Sequence, residues 1–248
     1  MPKSTRPPEF IAHRGAVAAY PENTLPAIAG ALRRGLNWVE IDVQFSADQQ
    51  AIVIHDEDLW RTAGRPGRVW EMHSKELARV SVHEEHRLGP TPTAIPPPLL
   101  ADAAALLEGF PQAGMFVEIK VEGIRRIGRE QAIEVVNKAL GHRAPQCVIL
   151  SFDAGVVEIA RKYHGYRIGW VLSHYDAPAR KLAAELDPDF LFVNLLKVPF
   201  GEVLFEGAWQ WAVYEVTSAQ EALDWSVRGA ELLESFRASD LALEVAGR

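Results

Sequence analysis

The stretch that decides the fold reads Phe10-Ile11-Ala12-His13-Arg14-Gly15-Ala16-Val17-Ala18-Ala19-Tyr20-Pro21-Glu22-Asn23-Thr24. An apolar run ends on His-Arg-Gly, a loop follows, and Pro-Glu-Asn-Thr opens a helix. A strand is expected over residues 9–13. Asn23 and Thr24 are both good N-caps, and Leu25, Ile28, Leu32 and Leu36 then recur at helical spacing. Gly35 is a suitable C-cap. A proton-transfer group, a cation shaped for phosphate and a flexible glycine therefore sit where a strand meets a loop. Residues 38–45 follow, alternating Val39, Ile41, Val43 and Phe45 against Trp38, Glu40, Asp42 and Gln44, the period of a strand. A turn over 46–50 leads to an apolar run, 51–54, that ends on His55-Asp56 and predicts a hairpin strand added to the second one.

Residues 57–98 break this rhythm. They carry Gly64-Arg65-Pro66-Gly67 and Pro90, Pro92, Pro96, Pro97 and Pro98, with a helical pattern only over 74–80. A loop this long inside a compact domain is usually functional, and an insertion folded over one mouth of the domain is expected. Beyond it helices and strands alternate. Helices are expected over 99–109, 125–140, 154–163, 177–186, 199–205, from Ser218 (with a Ser218-x-x-Glu221 capping box) and over 238–246. The strands between them fall at 115–120, 147–152, 167–172, 190–194, 211–216 and 230–234. With the hairpin strand left out, eight strands are each followed by a helix. That is the arithmetic of a (β/α)8 TIM barrel, one domain over 1–248 with an insertion after the second strand. An open doubly wound sheet would call for a glycine-rich turn after the first strand, and His-Arg-Gly is not one. Residues 1–8 are expected to form a loose arm.

Composition narrows the function. The chain has 248 residues, 48% of them apolar, with 26 basic against 33 acidic side chains, a net charge of −7. That balance argues against a nucleic-acid surface. No apolar run is long enough for a membrane span. The first residues lack the apolar core of a secretory signal, so a cytoplasmic location is expected. Cys147 is the only cysteine and lies in an apolar run, where a buried small hydrophobe is expected.

The chemistry follows from parity. Residues i and i+2 of a strand share a face, so Glu40 and Asp42 project together, opposite the apolar Val39, Ile41 and Val43. Carboxylates on the axis side of a barrel are costly without a counter-charge. A divalent cation supplies one, and oxygen-only ligands suit Mg²⁺ or Ca²⁺. Glu118 and Lys120 repeat the geometry. The plain alternative is a solvated edge strand. His13 and His55 each end an apolar strand and could serve as general acid and general base. Arg14 offers a planar fork for phosphate oxygens, and Lys120 could neutralise the same phosphate or hold a carboxylate. His83-Glu84-Glu85-His86 reads as a solvated loop. Glu234 ends the eighth strand, next to the first in a closed barrel, so its carboxylate is expected near His13 or Arg14; a surface acid is the alternative.

With these residues placed, the sequence resembles the glycerophosphodiester phosphodiesterase family. The likeness runs through His13-Arg14-Gly15, Pro21-Glu22-Asn23-Thr24, Glu40-Ile41-Asp42, His55-Asp56, Leu59-x-Arg61-Thr62 and Glu118-Ile119-Lys120. The resemblance implies one divalent metal ion on Glu40, Asp42 and Glu118, and acid–base catalysis by His13 and His55. It also implies phosphate contacts from Arg14 and Lys120; apart from the resemblance, Glu22 and Glu234 are candidates for supporting carboxylates behind them. The implied reaction is metal-dependent hydrolysis of a small glycerophosphodiester to glycerol 3-phosphate and an alcohol. The alternatives are a lysophospholipase D acting on lysolipids and a non-catalytic barrel that binds phosphorylated ligands. The chain departs from the family at Tyr214-Glu215-Val216-Thr217 and at Glu234-Ser235-Phe236-Arg237, where relatives commonly carry Trp-Thr-Val-Asn and Thr-Asp-x-Pro. The sequence leaves the alcohol and the oligomeric state open.

Overall fold

The computed structural model describes residues 7–90 and 95–247. Most of the expected N-terminal arm, and Pro92, lie outside the described residues. The strands are β1 (Glu9–His13), β2 (Trp38–Phe45), β3 (Ala51–Val53), β4 (Gly114–Ile119), β5 (Cys147–Ser151), β6 (Arg167–Val171), β7 (Phe190–Asn194), β8 (Gln210–Tyr214) and β9 (Leu232–Ser235). They pair in the order β1-β9-β8-β7-β6-β5-β4-β2, and a parallel β1–β2 pairing closes the ring. β3 runs antiparallel on β2 outside that ring. The architecture is thus a closed eight-stranded parallel barrel with helices around it, the (β/α)8 TIM barrel.

Parity sorts each strand. Val39, Ile41, Val43, Met115, Val117, Ile149 and Val213 point outward into the layer shared with the helices. Ile11, Phe116, Val148, Leu150, Phe190, Phe192, Ala212 and Leu232 fill the axis. Phe116, fully buried, packs edge-on to Phe190 and Phe192 at ring separations of 5.0 and 5.1 Å. This aromatic plug makes the barrel a solid core, and truncating Phe116 to alanine would cost ~3–5 kcal/mol. Moving two residues along each strand from the plug reaches His13, Glu118, Tyr214 and Glu234. The plug is therefore the floor on which the polar mouth stands.

Two helix expectations need correction. The stretch expected as one helix over 125–140 is two, Val121–Ile127 and Arg129–Leu140, parted at Gly128, whose φ is +85°. Residues 199–205 form no helix. The β7–β8 connection has only a 3₁₀ turn, Leu195–Lys197, because Pro199 and Gly201 (φ +78°) interrupt the ladder. Arg228 instead holds the segment, donating to the Pro199 and Glu202 carbonyls.

The 57–98 region contains short helices, Trp60–Ala63, Val69–Glu71 (3₁₀), Ser74–Leu77 and Glu85–Leu88. The first three gather around a core of their own, in which Ile52, Ile54, Leu59, Leu77, Val80 and Val82 pack together. The reading of His83-Glu84-Glu85-His86 as a solvated loop is corrected at Glu84. This residue is 2% exposed and accepts a 2.7 Å hydrogen bond from the Glu22 backbone N–H. Arg87 donates to the same carboxylate. The region is thereby fastened to the β1–helix loop.

Candidate active site

The site is built on the His-Arg-Gly turn. His13 ends β1, Arg14 takes φ +57° and Gly15 takes φ +89°. A side chain at Gly15 would put its Cβ 2.6 Å from the Ala27 carbonyl carbon, so only glycine lets the loop pack on the helix Leu25–Arg33. The Asn23 backbone N–H closes the loop by donating to the Arg14 carbonyl at 3.0 Å. Asn23, also left-handed at φ +57°, then reaches Asp42. Its Nδ2 donates to Asp42 Oδ2 at 2.8 Å, and its Oδ1 accepts from the Asp42 backbone N–H at 3.1 Å. Sequence reading took Asn23 only for a helix cap; its pairing with a residue nineteen positions on could not be read from local pattern.

β2 and β4 bring the acids together. Register pairs His13 with Glu40 and Asp42 with Glu118. Glu40, Asp42 and Glu118 each offer an oxygen, all within 4.8 Å of one another. Oxygens so close, on buried side chains, form a donor set that fits a hard divalent cation. Their electrostatics differ. Burial works to raise Asp42, but Arg14 Nε at 3.1 Å and Lys120 Nζ at 3.2 Å outweigh it and hold this carboxyl well below the usual range. Burial, followed by the charges of Asp42 and Glu234, pushes Glu40 well above it. Burial also raises Glu118, against the pull of Lys120 at 2.7 Å. Glu40 Oε1 is buried with no hydrogen-bond partner, as an oxygen awaiting a cation would be.

The two histidines and both basic residues line one cavity of about 190 Å³ with Asp42 and Glu118. His55 Nδ1 lies 2.6 Å from Asp56 Oδ1, which leaves Nε2 as the ring's other nitrogen. Burial favours the neutral acid at Asp56, but hydrogen bonds from His55 and Arg61 hold it far below its ordinary value. Arg61 then grips Glu22 by two bonds, at 2.8 and 2.7 Å, and Glu22 accepts from Arg14 at 3.0 Å. Asp56, Arg61 and Glu22 thus tie His55 to Arg14 through one chain of charges. His13 is buried, and burial, then Arg14, lowers its imidazole well below the usual value. Phe236 stacks on its ring at 4.3 Å and 15°. Glu234 Oε1 lies 3.7 Å from His13 Nε2.

Every site residue expected from sequence thus falls at this mouth. Asn23, Asp56, Arg61, Glu84 and Phe236 were not foreseen in these positions. His-Asp adjacency was the one available signal for Asp56.

The comparisons with known proteins agree with this geometry. A model of the "Glycerophosphoryl diester phosphodiesterase family" matches residues 13–234. A Bacillus altitudinis protein named glycerophosphodiester phosphodiesterase is 33% identical over 126 residues, 51% of this chain and 51% of that protein. The Homo sapiens protein named glycerophosphodiester phosphodiesterase 1 is 36% identical over 78 residues, 32% of this chain and 24% of that protein. The alignments thus reach about half of one relative's length and a quarter of the other's. An Oleispira antarctica phosphodiesterase, solved with the product sn-glycerol-3-phosphate, superposes with a TM-score of 0.82 at 22% identity, covering 96% of this chain and 97% of that one. A glycerophosphodiester phosphodiesterase structure from Agrobacterium tumefaciens gives 0.73 at 22% identity, covering 97% and 100%. Such distant structures speak for the barrel alone. The family match spans the strands from the end of β1 to β9 and includes both histidines and all three acids, so the chain belongs to the glycerophosphoryl diester phosphodiesterase family.

Proposed function

We propose that the chain hydrolyses glycerophosphodiesters to glycerol 3-phosphate and an alcohol, with one divalent cation, Mg²⁺ or Ca²⁺. The observation that carries this is the shared cavity. His13 and His55 face the same 190 Å³ space as Asp42, Glu118, Arg14 and Lys120. Glu40, Asp42 and Glu118 would hold the ion. When bound, it supplies positive charge to the phosphoryl oxygens and to the buried acids.

The chain's own side chains do the rest. Arg14 and Lys120 flank the acids and present N–H donors to the phosphate. One ring takes the proton of the attacking hydroxyl, and Asp56 orients His55 for its share of the proton transfer. That hydroxyl is the substrate's own, so a P–O bond forms to it as the P–O bond to the alcohol breaks. The other ring hands a proton to the leaving oxygen. The two rings exchange roles when water opens the resulting cyclic phosphate. Glu22 restrains Arg14 and Arg61, and Glu234 faces the His13 imidazole.

We read 1–248 as one barrel domain with 57–98 as an insertion beside its mouth. A second cavity of about 510 Å³ shares Arg14 and His55 with the first and borders Arg61, Glu84, His86 and Arg87. Arg61, Glu84, His86 and Arg87 on its insertion side stand opposite Val17, Ala18 and Phe236, so the cavity sets charged groups for a headgroup beside an apolar face. Among the described residues no helix is long and apolar enough to cross a membrane. A cytoplasmic enzyme of glycerol and lipid-headgroup metabolism, without nucleic-acid partners, fits these features. Turnover of glycerophosphocholine and other glycerophosphodiesters, with Mg²⁺, Ca²⁺, Mn²⁺ or a chelator, tests the proposal. Absence of turnover across the panel with each ion present would favour a binding barrel, and full activity in chelator would remove the metal.

A further inference from the structure

We propose that His13, Glu40 and Glu234 form a second cation site, fitted to zinc, whose occupation blocks His13. The blocking rests on the proton-transfer role given to His13 above; the binding does not.

The three side chains converge from adjacent strands, β2, β1 and β9. Glu40 Oε2 lies 3.9 Å and Glu234 Oε1 3.7 Å from His13 Nε2, and one donor atom of each lies within 4.8 Å of the others. His13, Glu40 and Glu234 are 7%, 1% and 4% exposed. Glu234 is the less expected of the two acids. Among the described residues no Lys or Arg lies within ion-pair reach of its carboxylate, and the basic group within 4 Å of it is the His13 imidazole. The Glu40 oxygen that faces the ring, Oε2, accepts a 3.3 Å bond from the Arg14 backbone N–H. A buried carboxylate left without a cation is costly, and here two of them face one ring nitrogen.

The donor set selects the ion. The Glu40–Asp42–Glu118 group is all oxygen, which suits Mg²⁺ or Ca²⁺, whereas an imidazole with two carboxylates suits zinc. Distance agrees. A tetrahedral ion with bonds of ~2.0–2.1 Å sets its ligand atoms ~3.3–3.4 Å apart, and an octahedral one with bonds of ~2.1 Å sets neighbouring ligands ~3.0 Å apart. The two His13 edges, 3.7 and 3.9 Å, need a closure of ~0.3–0.6 Å for the tetrahedral case, and the Glu40–Glu234 edge, within 4.8 Å, one of at most ~1.5 Å. Glu40 belongs to both groups, and its two oxygens can serve one ion each. An ion on Nε2 occupies the lone pair that would accept a proton there. Low zinc should therefore switch off an enzyme that still carries its activating ion.

The test is direct zinc binding to the full chain by equilibrium dialysis, with Mg²⁺ held in large excess, beside activity at the same zinc concentrations. Wild type should bind one equivalent of zinc with activity falling at the same midpoint. Glu234→Gln should weaken zinc binding at least ~30-fold, while Glu118→Gln should retain it. Should Glu234→Gln not fold, Co²⁺ in wild type provides the second measurement: intense visible d–d absorption marks a tetrahedral N/O site. The proposal is overturned if wild type binds no zinc, if Glu234→Gln binds it unchanged, if Glu118→Gln alone abolishes binding, or if Co²⁺ shows only weak octahedral bands. Zinc that binds at this site without inhibiting would instead refute the role of His13 in proton transfer.

Discussion

Replacing Glu40 by glutamine should make the metal-free protein more stable while destroying its metal site. Glu40 is 1% exposed, and its carboxylate has oxygens of Asp42, Glu118 and Glu234 as neighbours within 4.8 Å. One such pair repels by ~3.5 kcal/mol at an effective dielectric of ~20. Arg14 and Lys120 compensate Asp42 and Glu118, so the net relief is smaller, ~1–2 kcal/mol. Glutamine keeps an oxygen to accept the 3.3 Å bond from the Arg14 backbone N–H. For a chain of this size the gain corresponds to a rise in Tm of ~2–8 °C. The pH dependence has a defined sign. Burial and then the Asp42 and Glu234 charges raise the folded-state carboxyl of Glu40. The folded chain therefore binds that proton more tightly than the unfolded chain. The associated stability is fully present below the unfolded value of ~4.3 and is lost as pH rises through the folded value. In chelator, the wild-type Tm should fall as pH climbs over this range, and Glu40→Gln should flatten part of the fall. Adding Mg²⁺ or Ca²⁺ at ~100 times its Kd should stabilise wild type by ~2.7 kcal/mol and the variant by much less. Thermal melts by circular dichroism, with and without the ion, measure all of this. A metal-free variant that melts below wild type would refute the idea that uncompensated repulsion is held at this mouth.

Three further outcomes are expected. His13→Ala and His55→Ala should each lower the turnover of a glycerophosphodiester by ~10²–10⁴, the range of a lost general acid or base, with wild-type circular dichroism; wild-type turnover by either variant would remove that ring from the mechanism. Asp56→Asn should reduce kcat by ~10–10³ with little change in KM, because Asp56 orients His55 across 2.6 Å rather than touching substrate; a change confined to KM would contradict this. Cys147 is buried, and burial pushes its thiol up to about 12, so iodoacetamide at pH 8 should leave the native protein unlabelled by mass spectrometry and label it after unfolding; rapid native labelling would show β5 to be open to solvent.

The sequence by itself determined the barrel and the chemical inventory of its mouth. Strand periodicity with helices between needs only nearest-neighbour pattern, and i, i+2 parity alone sends Glu40 with Asp42 and Glu118 with Lys120. The turn at His13-Arg14-Gly15 was also legible, because few residues other than glycine tolerate that backbone. Where local signals were weak the reading failed, as at residues 199–205, where Pro199 and Gly201 replace a helix by a strap pinned by Arg228. Tertiary structure alone decided who faces whom. Closing the ring brings β9 against β1, which sets Glu234 beside His13, as its place at the end of the last strand implied, and lays Phe236 over the ring, which nothing in the sequence implied. The Asn23–Asp42 pair and the Arg61–Glu22 clasp join segments remote in sequence. The same holds for Glu84 beneath the Glu22 loop, where a charged residue in a polar stretch reads as solvated. The physical reason is common to all of them. Burial and long-range hydrogen bonds depend on the register of a closed sheet, and register is a property of strand pairs that no single segment carries.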